Sequence, residues 1–580
     1  MKRSFYVLVL FLAGSRFAPG LDTTPTPAGA APAEKSPAVF NVRDYGATGD
    51  GTTLDTAAIK KAIEACAAAG GGTVLFPPGQ YVTGTIELVS NMTLYLDPGA
   101  VILGSKNVDD YGSIRDYGLG KNYGVDSSGE GDRVGLIVAR DLQHVAILGT
   151  GVIDGRGDEF MDLDTPHMGP DFDAQYTRNP ELFLRAVRNV EYGPIEPKAL
   201  GAGRPGTMLI FLRCKDVLLR DVTLRNSPNW TLHLQKTERA VISGIHILNN
   251  LLIPNNDGID CMACKHIHIS DCDIQAGDDD FAIVGSEDVN VSNCSLVSRS
   301  SAIRLEDTRF STFQGLSIAT NRGLGIYQMG DEITAHVLFS DITMRTKLIP
   351  GHWWGKAEPI YVAVSPCVES QCKGKVSDIK FSNITAEAEA GMLIYGAEDS
   401  PVEGISLEGI RLKIHSPNPE FAEEVGGNFD LRWTAKSLKD AVFKHDTPGV
   451  YCRWVTGLRI HGLELQWGEG LPEYFSDGIS CEDFRDLQID RFEGRQAQKT
   501  QKNGAAISLS RGDGVSIMNS TAAEGTFDFL RQSHLTGHRL LLGDDLSRAR
   551  TGVSPPSANF HMQAVILSAG AKPKAPSSHP

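Results

Sequence analysis

A short phrase recurs through most of the chain and limits what the chain can fold into. The phrase alternates apolar and polar residues around a small or polar pivot, as in VLLRDVTL, VISGIHIL, IHISDCDI and IKFSNITA. Alternation with period two indicates β-strands, and a fixed period indicates a stacked repeat. The pivots lie 22 to 27 residues apart from Asp221 to Asp341, and two later gaps are about twice as long; they are Gly149, Asp221, Gly244, Asp271, Asn293, Gly315, Asp341, Asn383, Gly409 and Gly462.

This repeat predicts an all-β fold, a right-handed parallel β-helix. Leucine-rich repeats have a similar length, but their Leu/Asn pattern and helical segment are missing from the sequence. Three short strands per coil, bent at Asn, Asp and Gly, fit the period, and the coils would stack about 4.8 Å apart. Inward positions would form apolar ladders, and outward positions of one sheet would form a long open groove.

A solenoid needs a covered first coil, and one helix is placed to cover it. The segment Asp55–Ala69, DTAAIKKAIEACAAA, is rich in Ala and has helical spacing. We therefore expect an N-terminal helical cap on the β-helix.

The sequence near the two termini predicts a signal peptide, a linker and a loose C-terminal tail. Lys2 and Arg3 precede an apolar run from Phe5 to Ala13, which is the pattern of a signal peptide and is too short to span a bilayer. Residues 1–12 could instead remain as an uncleaved anchor. We expect a signal peptide at residues 1–19, a linker rich in Pro, Ala and Thr at 20–38, the β-helix catalytic domain at 39–540 and a loose tail at 541–580. The expected location is outside the cell or in the periplasm.

The charge of the chain excludes some classes of partner. A net charge of −16 argues against nucleic acid and against anionic membranes, but it does not bear on a carbohydrate ligand. No later segment is long and apolar enough to cross a membrane. We expect a monomer that binds a polysaccharide or oligosaccharide.

The ten cysteines do not form a metal-binding pattern. Cys261 and Cys264 make a lone CxxC with no second pair or His cluster. Cys272 and Cys294 recur at the coil spacing, which favours a buried ladder of small side chains, whereas Cys367 and Cys372 could close a surface loop. No metal and no other cofactor is predicted.

Several aspartates crowd one part of the predicted groove. Asp257 and Asp278 are separated by nearly one coil, so they would share an azimuth on neighbouring coils, and Asp279 and Asp280 follow directly. Carboxylates held this close disfavour full ionisation, so one pKa should rise. A protonated acid beside ionised carboxylates is what the cleavage of a glycosidic bond requires.

Two other interpretations of these aspartates stay open. Asp and Asn at β-helix bends can simply cap backbone groups, which explains pivots such as Asp221 and Asp271. Oxygen ligands also suit calcium, and calcium-dependent pectate lyases are β-helices. A lyase would need a basic residue to remove the α-proton, and Arg304 lies one coil onward.

The N-terminal half of the predicted β-helix resembles a known superfamily. VRDYGATGDGTTLDTAAIKKAI followed by GGGTVLFPPGQY is similar to the N-terminal cap of the pectin-active β-helix superfamily. The order and spacing of GTGVIDGRGDEF, RNSPNWTLHL, NNDGID and GDDDFAI are similar to those of family 28 glycoside hydrolases, the polygalacturonases. The resemblance extends from about Val42 to Val284.

The resemblance implies roles for three carboxylates. The family's Asn-Thr-Asp triplet falls on Asn255-Asn256-Asp257, and its Gly-Asp-Asp falls on Gly277-Asp278-Asp279. Asp278 would then be the general acid, and Asp257 and Asp279 would together activate water for an inverting displacement. The residues expected to bind substrate are Asn255, Asp260, Asp280, Arg304 and Tyr327.

Two elements of the family are missing. Its Gly-His-Gly motif aligns with Ser300-Ser301-Ala302, so the active-site His is absent. Its Arg-Ile-Lys motif, which binds the galacturonate carboxylate, aligns with Gly325-Ile326-Tyr327. If Ala282 faces outward, the coil register places Arg304 and then Gly325 beside it, so Arg304 could supply a cation one coil early, with Arg299 or Arg322 contributing.

The resulting prediction is a secreted, polygalacturonase-like glycoside hydrolase acting on pectic or related plant-wall polysaccharide. A calcium-dependent lyase and a non-catalytic carbohydrate-binding β-helix are the alternatives. A solvated Arg304 without function is also compatible with the sequence.

Overall fold

The computed structural model describes residues 38–114, 133–166, 195–197, 203–349, 353, 355–365, 374–424, 426–429, 446–498 and 504–553. The predicted signal peptide at 1–19 and nearly all of the predicted linker lie outside these residues. No helix in the described part of the chain has the length and apolarity needed to cross a bilayer.

Strands make up most of the described chain. From the N-terminus to the Asp cluster they are β1 (Val39–Asn41), β2 (Asp50–Leu54), β3 (Gly72–Phe76), β4 (Gly79–Thr83), β5 (Ile86–Glu87), β6 (Met92–Leu96), β7 (Ala100–Gly104), β8 (Ile137–Arg140), β9 (Gln143–Gly149), β10 (Val152–Asp154), β11 (Met161–Pro166), β12 (Ile195–Pro197), β13 (Leu209–Leu212), β14 (Lys215–Arg220), β15 (Thr223–Arg225), β16 (Leu232–Gln235), β17 (Glu238–Ser243), β18 (His246–Leu248), β19 (Ile259–Met262), β20 (Lys265–Ser270), β21 (Asp273–Ala276) and β22 (Phe281–Val284).

The later strands continue the same pattern. They are β23 (Glu287–Ser292), β24 (Ser295–Ser298), β25 (Ser301–Glu306), β26 (Arg309–Gln314), β27 (Ser317–Thr320), β28 (Arg322–Gln328), β29 (Ile333–Thr346), β30 (Ile360–Val364), β31 (Lys375–Ala388), β32 (Met392–Tyr395), β33 (Val402–Ile414), β34 (Val450–Thr456), β35 (Arg459–Trp467), β36 (Ile479–Asp490), β37 (Glu493–Gly494), β38 (Ala505–Ser510), β39 (Asp513–Met518), β40 (Thr521–Ala522), β41 (Asp528–Ser533), β42 (Thr536–Leu542) and β43 (Thr551–Val553). The helices are α1 (Thr56–Ala68) and α2 (Pro419–Glu424), with 3-10 turns at Val42–Tyr45, Val108–Asp110 and Gly157–Phe160.

Parallel pairing sorts these strands into three faces, as the repeat predicts. The first face stacks β9, β14, β17, β20, β23 and β26. The second stacks β10, β15, β18, β21, β24 and β27. The third stacks β8, β13, β16, β19, β22, β25, β28, β30, β32 and β34. The chain therefore forms the right-handed parallel β-helix predicted from its sequence, and one antiparallel pair, β11 with β12, stands outside the coils.

The pivots of the repeat are the bends between the first and second faces. All ten adopt a positive φ, from 53° at Asn383 to 109° at Gly149. Gly, Asn and Asp are the residues that enter this left-handed region at low cost. Side chains on neighbouring pivots also form a hydrogen bond, in which the Asn383 amide donates to the Asp341 carboxylate at 2.6 Å. The bends predicted from the sequence are thus confirmed.

Inward-facing side chains form the expected apolar ladders. Phe313, Phe339 and Phe381 stack on successive coils with ring centroids 5.1 and 5.0 Å apart. Cys272 and Cys294 are likewise buried at equivalent positions of neighbouring coils, as predicted. All eight described cysteines are buried free thiols; Cys367 and Cys372 lie outside the described residues.

We expect Phe339→Leu to destabilise the fold by roughly 1–3 kcal/mol, since it removes two stacked aromatic pairs worth about 0.5–1.5 kcal/mol each and keeps the position apolar. Urea unfolding followed by fluorescence measures the change. Phe310→Leu is the control, because the Phe310 ring is exposed on the first face. An equal loss in both variants would show that the interior stack is not a source of stability.

The sequence predicts a helical cap at the N-terminal end of the β-helix and a loose tail at its C-terminal end. Helix α1 lies beside β1, β3 and β5 and buries Ile59, Ile63 and Cys66; its role as a cap stays a prediction. At the other end, parallel pairing continues past the predicted boundary at residue 540, because β43 pairs with β41. Leu541, Leu546 and Val553 pack against the core, so the loose tail does not begin at residue 541.

Candidate active site

The three predicted catalytic carboxylates lie together in the structure. Asp257 precedes β19, and Asp278 and Asp279 precede β22, the next strand of the third face. One carboxylate oxygen from each lies within 4.8 Å of the other two. All three side chains are buried, and Asp278 has the largest exposed fraction, 9%. The structure thus brings the three predicted residues together, and their catalytic role stays a prediction.

The coil register corrects one detail of that prediction. Ile259 pairs with Phe281, and the Gly258 N–H donates to the Asp279 carbonyl at 2.9 Å. Asp279, rather than Asp278, is therefore the residue at the azimuth of Asp257. Asp278 lies one position earlier, where the chain turns into the third face.

A buried amide holds the two Asp-bearing turns together. The Asn256 side chain accepts a hydrogen bond from the Gly277 N–H at 2.6 Å and donates to the Asn250 carbonyl at 2.7 Å. A Cβ at position 277 would lie 2.5 Å from the Asn256 Oδ1 atom, so only glycine leaves room for this contact. The spacing between Asp257 and Asp278 thus depends on two neighbours that are not acidic.

Asp279 accepts two hydrogen bonds from the following coil. Its Oδ1 atom accepts from the Ser300 hydroxyl and from the Ser301 N–H, both at 3.1 Å. These serines stand where the resembled family has its Gly-His-Gly motif. These hydroxyl and backbone groups therefore favour the ionised form of Asp279.

Burial and mutual repulsion change the protonation of the cluster. The pKa of Asp257 is raised well above its ordinary value, first by burial and then by repulsion from Asp260, Asp278 and Asp279. Burial also raises the pKa of Asp279, and the Arg304 guanidinium and the two serines partly offset that rise. The cluster therefore holds at least one proton more readily than exposed aspartates would.

Arg304 lies on the coil that follows Asp278 and Asp279. Ala282 pairs with Arg304, and Arg304 pairs with Gly325, as the sequence predicted. The Arg304 Nη2 atom lies 3.4 Å from the Glu306 carboxylate, and 21% of the side chain is exposed. Arg304 lowers the pKa of both Asp260 and Asp279, after burial has raised them.

The other predicted binding residues lie around the cluster. The Asn255 amide is 3.5 Å from the Asp278 carboxylate, and the Tyr327 hydroxyl is 3.3 Å from the Ser301 hydroxyl. Asp260 and Asp280 are both closed off from solvent. Burial, followed by repulsion from Asp279, raises the pKa of Asp280. Their role in binding substrate stays a prediction.

The other cations suggested from the sequence are placed differently. Arg322 is fully buried, 3.3 Å from the Glu358 carboxylate, with its guanidinium 3.8 Å from the centre of the Tyr361 ring. A cation already neutralised and enclosed in this way is poorly placed to bind a uronate. Arg299 is half-buried, and burial lowers its pKa.

Comparison with known proteins identifies the segment that carries this site. Residues 198–318 match the family model described as "Glycosyl hydrolases family 28", and this range includes Asp257, Asp278, Asp279 and Arg304. Residues 39–161 match a second model, "Rhamnogalacturonase A/epimerase, pectate lyase-like". This segment of the chain is therefore similar to the family 28 glycosyl hydrolases.

Two curated relatives each match about two fifths of the chain. A "Probable polygalacturonase" of Vitis vinifera is 30% identical over 247 residues, 41% of this chain and 43% of that protein. An "Exo-poly-alpha-D-galacturonosidase" of Dickeya chrysanthemi is 28% identical over 261 residues, 42% of this chain and 41% of that protein. The chain thus spans less than half of these two relatives. Among solved structures, the Yersinia enterocolitica family 28 exopolygalacturonase is 18% identical, with a TM-score of 0.49 over 78% of this chain and 79% of that one.

The structure adds two residues to the candidate site that sequence reasoning missed. Arg204 is buried and donates to the Pro228 and Pro254 carbonyls at 2.9 and 2.6 Å and to the Asn255 side chain at 3.1 Å. A lone Arg in a Gly-rich segment gives no local signal for such a distant partner. Arg204 therefore fixes the turn that precedes Asp257.

The second residue that sequence reasoning missed is His233. Its backbone pairs with that of Asp260 on the third face. Burial lowers the pKa of His233 to about 3, so the imidazole is neutral. Neither ring nitrogen has a hydrogen-bond partner among the described residues. Its place in the alternating phrase WTLHL, one coil before Asp260, could have marked it as an outward residue of the same face.

We expect Asp260→Asn to stabilise the fold at pH 8. Burial raises the pKa of Asp260 well above 3.8, and neither of its oxygens has a hydrogen-bond partner among the described residues. When folding raises the pKa of a carboxyl, the free energy of unfolding is unaffected at pH values below the ordinary pKa. It decreases as the pH rises from the ordinary pKa toward the raised pKa. Each pKa unit corresponds to about 1.4 kcal/mol.

Apparent melting temperatures of wild type and Asp260→Asn between pH 4 and pH 8 measure this effect. The gain should shrink as the pH falls, and Asp271→Asn, at an exposed bend, should give no such trend. A gain independent of pH would contradict burial of the charge as the cause.

Proposed function

We propose that the protein hydrolyses glycosidic bonds in pectic or related plant-wall polysaccharide, as a polygalacturonase-like enzyme. The observation that carries this proposal is the convergence of Asp257, Asp278 and Asp279 at one enclosed point of the third face. Clustered carboxylates with raised pKa values supply both a proton donor and ionised bases. The names of the curated relatives, a probable polygalacturonase and an exo-poly-alpha-D-galacturonosidase, support the substrate class.

In the proposed reaction Asp278 protonates the leaving oxygen. Asp257 and Asp279 activate the attacking water, and the hydrogen bonds from Ser300 and Ser301 favour the ionised form of Asp279. Inversion is proposed from the family resemblance alone. The distance between the carboxylates does not support it, because one oxygen of each lies within 4.8 Å of the others, nearer the spacing usual for retaining enzymes. NMR of the first product, read before its anomers equilibrate, distinguishes the two outcomes.

Carbohydrate is the proposed partner, and the protein is proposed to act outside the cell or in the periplasm as a monomer. The apolar run behind Lys2 and Arg3 supports export. The net charge of −16 supports a partner other than nucleic acid.

Activity is expected to be highest at mildly acidic pH. Asp257 and Asp279 must be ionised to act as bases, and the pKa values of both are raised above the ordinary Asp value of 3.8. The rate should therefore begin to fall at a pH above 3.8 as the solution is acidified. Ionisation of the acid, Asp278, removes activity on the alkaline side. A plot of kcat/KM against pH measures both limbs. A rate that keeps rising above neutral pH would indicate an Arg or Lys base and hence elimination.

A panel of pectic and hemicellulosic polymers tests the proposed function. Hydrolysis should produce new reducing ends without ultraviolet-absorbing unsaturated products, and a chelator should leave the rate unchanged. Unsaturated products that require calcium would instead establish a lyase, for which the three carboxylates offer oxygen ligands. Binding without products would indicate a non-catalytic carbohydrate-binding β-helix.

A further inference from the structure

The third face is closed along most of its length, in contrast to the long open groove expected from the sequence. From β13 to β32 its strands bury every residue except Met262, Val284 and Arg304. These three partly exposed residues belong to β19, β22 and β25, which are consecutive coils. We call these three coils the opening; they include the coils of the carboxylate cluster, since Asp257 precedes β19 and Asp278 and Asp279 precede β22.

An apolar cluster closes the face on the N-terminal side. Ile210 and Leu212 alternate with Leu209 and Phe211, and only the latter two belong to the interior ladders. The outward pair packs instead into a separate cluster whose other members are Ile114, Val134 and Val138. Sugar residues cannot occupy positions that these side chains fill.

An aromatic cluster closes the face on the C-terminal side. The outward residues of β28, β30, β32 and β34 include Tyr327, Tyr361, Tyr395 and Tyr451, all buried, while Ile326 and its equivalents face the interior. The Tyr327 and Tyr361 rings lie 5.0 Å apart. Phe429, from a later connection, stacks on Tyr451 with centroids 6.3 Å apart. The strands of the three coils beyond Arg304, β28, β30 and β32, are therefore fully buried.

The length of the opening limits which substrates can reach the carboxylates. Successive coils lie about 4.8 Å apart, so the two steps that separate the first coil of the opening from the third span roughly 10 Å along the axis. An enzyme that cuts inside a polymer must hold sugars on both sides of the bond over a longer, open surface. We propose that this site is a pocket that accepts only the end of a chain, so that the protein releases one short sugar product per cut. This inference rests on the proposed hydrolase function and specifies its mode of action.

Product analysis on polygalacturonate and on oligogalacturonides of uniform length tests the proposal with the wild-type protein. Reducing ends should rise while viscosity stays nearly constant, and one short product should dominate from the earliest time point. Two modified oligogalacturonides identify the end that enters the pocket: one is reduced at its reducing end, and the other is unsaturated at its non-reducing end. Only the substrate whose entering end is modified should resist cleavage. Asp278→Asn, assayed in parallel, controls for contaminating enzymes.

The outcomes separate the mode of action from the function. A broad ladder of oligomers, an early fall in viscosity and cleavage of both end-modified substrates would overturn the pocket and leave the hydrolase function intact. Cleavage of none of these substrates, nor of the other pectic polymers in the panel treated in the same way, would overturn the proposed function and this inference with it.

Discussion

Asp278→Asn is expected to lower kcat on the true substrate by about 10²–10⁴-fold, the range associated with loss of a general acid. An amide keeps the size of the side chain but cannot give a proton to the leaving oxygen. The substitution leaves the Asn256–Gly277 contact in place, since that bond uses the backbone of Gly277. Steady-state kinetics on the polymer that wild type cuts most rapidly gives the fold-change.

Asp271→Asn provides the matched control for this loss. It makes the same chemical change at an exposed bend of the preceding coil and should keep wild-type kcat. Melting temperatures of both variants separate lost chemistry from lost folding. An Asp278→Asn enzyme that folds and keeps most of its activity would refute the assignment of the acid.

Arg304→Ala has the second large expected effect, on polygalacturonate. A charge-assisted hydrogen bond to a uronate carboxylate is worth about 1.5–3 kcal/mol, so kcat/KM should fall roughly 10- to 150-fold. The acidic limb of the pH profile should also move to higher pH, because Arg304 lowers the pKa of Asp279. Arg309→Ala, at an exposed position of β26, should change neither quantity.

The sugar at the cleavage site decides between two outcomes for Arg304. If wild type hydrolyses polygalacturonate and Arg304→Ala loses that activity, Arg304 replaces the cations that the family carries at the positions of Gly325 and Tyr327. If wild type leaves polygalacturonate intact and cuts another plant-wall glycan, the reacting sugar is neutral. Efficient hydrolysis of polygalacturonate that is indifferent to Arg304 would contradict the proposed role of this residue.

The coil architecture could be predicted because it is encoded locally. Each bend needs a residue that tolerates positive φ, and Gly, Asp or Asn occurs at all ten predicted pivots. The same local regularity brought Ala282, Arg304 and Gly325 into register and placed Asp257 within one coil of Asp279. Repeats of this kind contact mainly their neighbours, so the sequence period carries most of the fold.

The closed third face could not be predicted from that period. Tyr361 and Tyr451 occupy outward positions, where the alternating pattern predicts exposure, yet both are buried in one aromatic cluster in which Phe429 stacks on Tyr451. Arg204 reaches Asn255 from 51 residues away. Such contacts come from connections whose path the repeat does not encode.

Hydrolysis in H₂¹⁸O tests the central proposal most directly. If Asp257 and Asp279 activate water while Asp278 protonates the leaving oxygen, each cut places one ¹⁸O atom at the newly formed reducing end, which mass spectrometry of the products detects. The account predicts that every new reducing end carries the label and that Asp278→Asn forms almost none. Products that lack the label and absorb in the ultraviolet would contradict it, because elimination adds no water to the sugar.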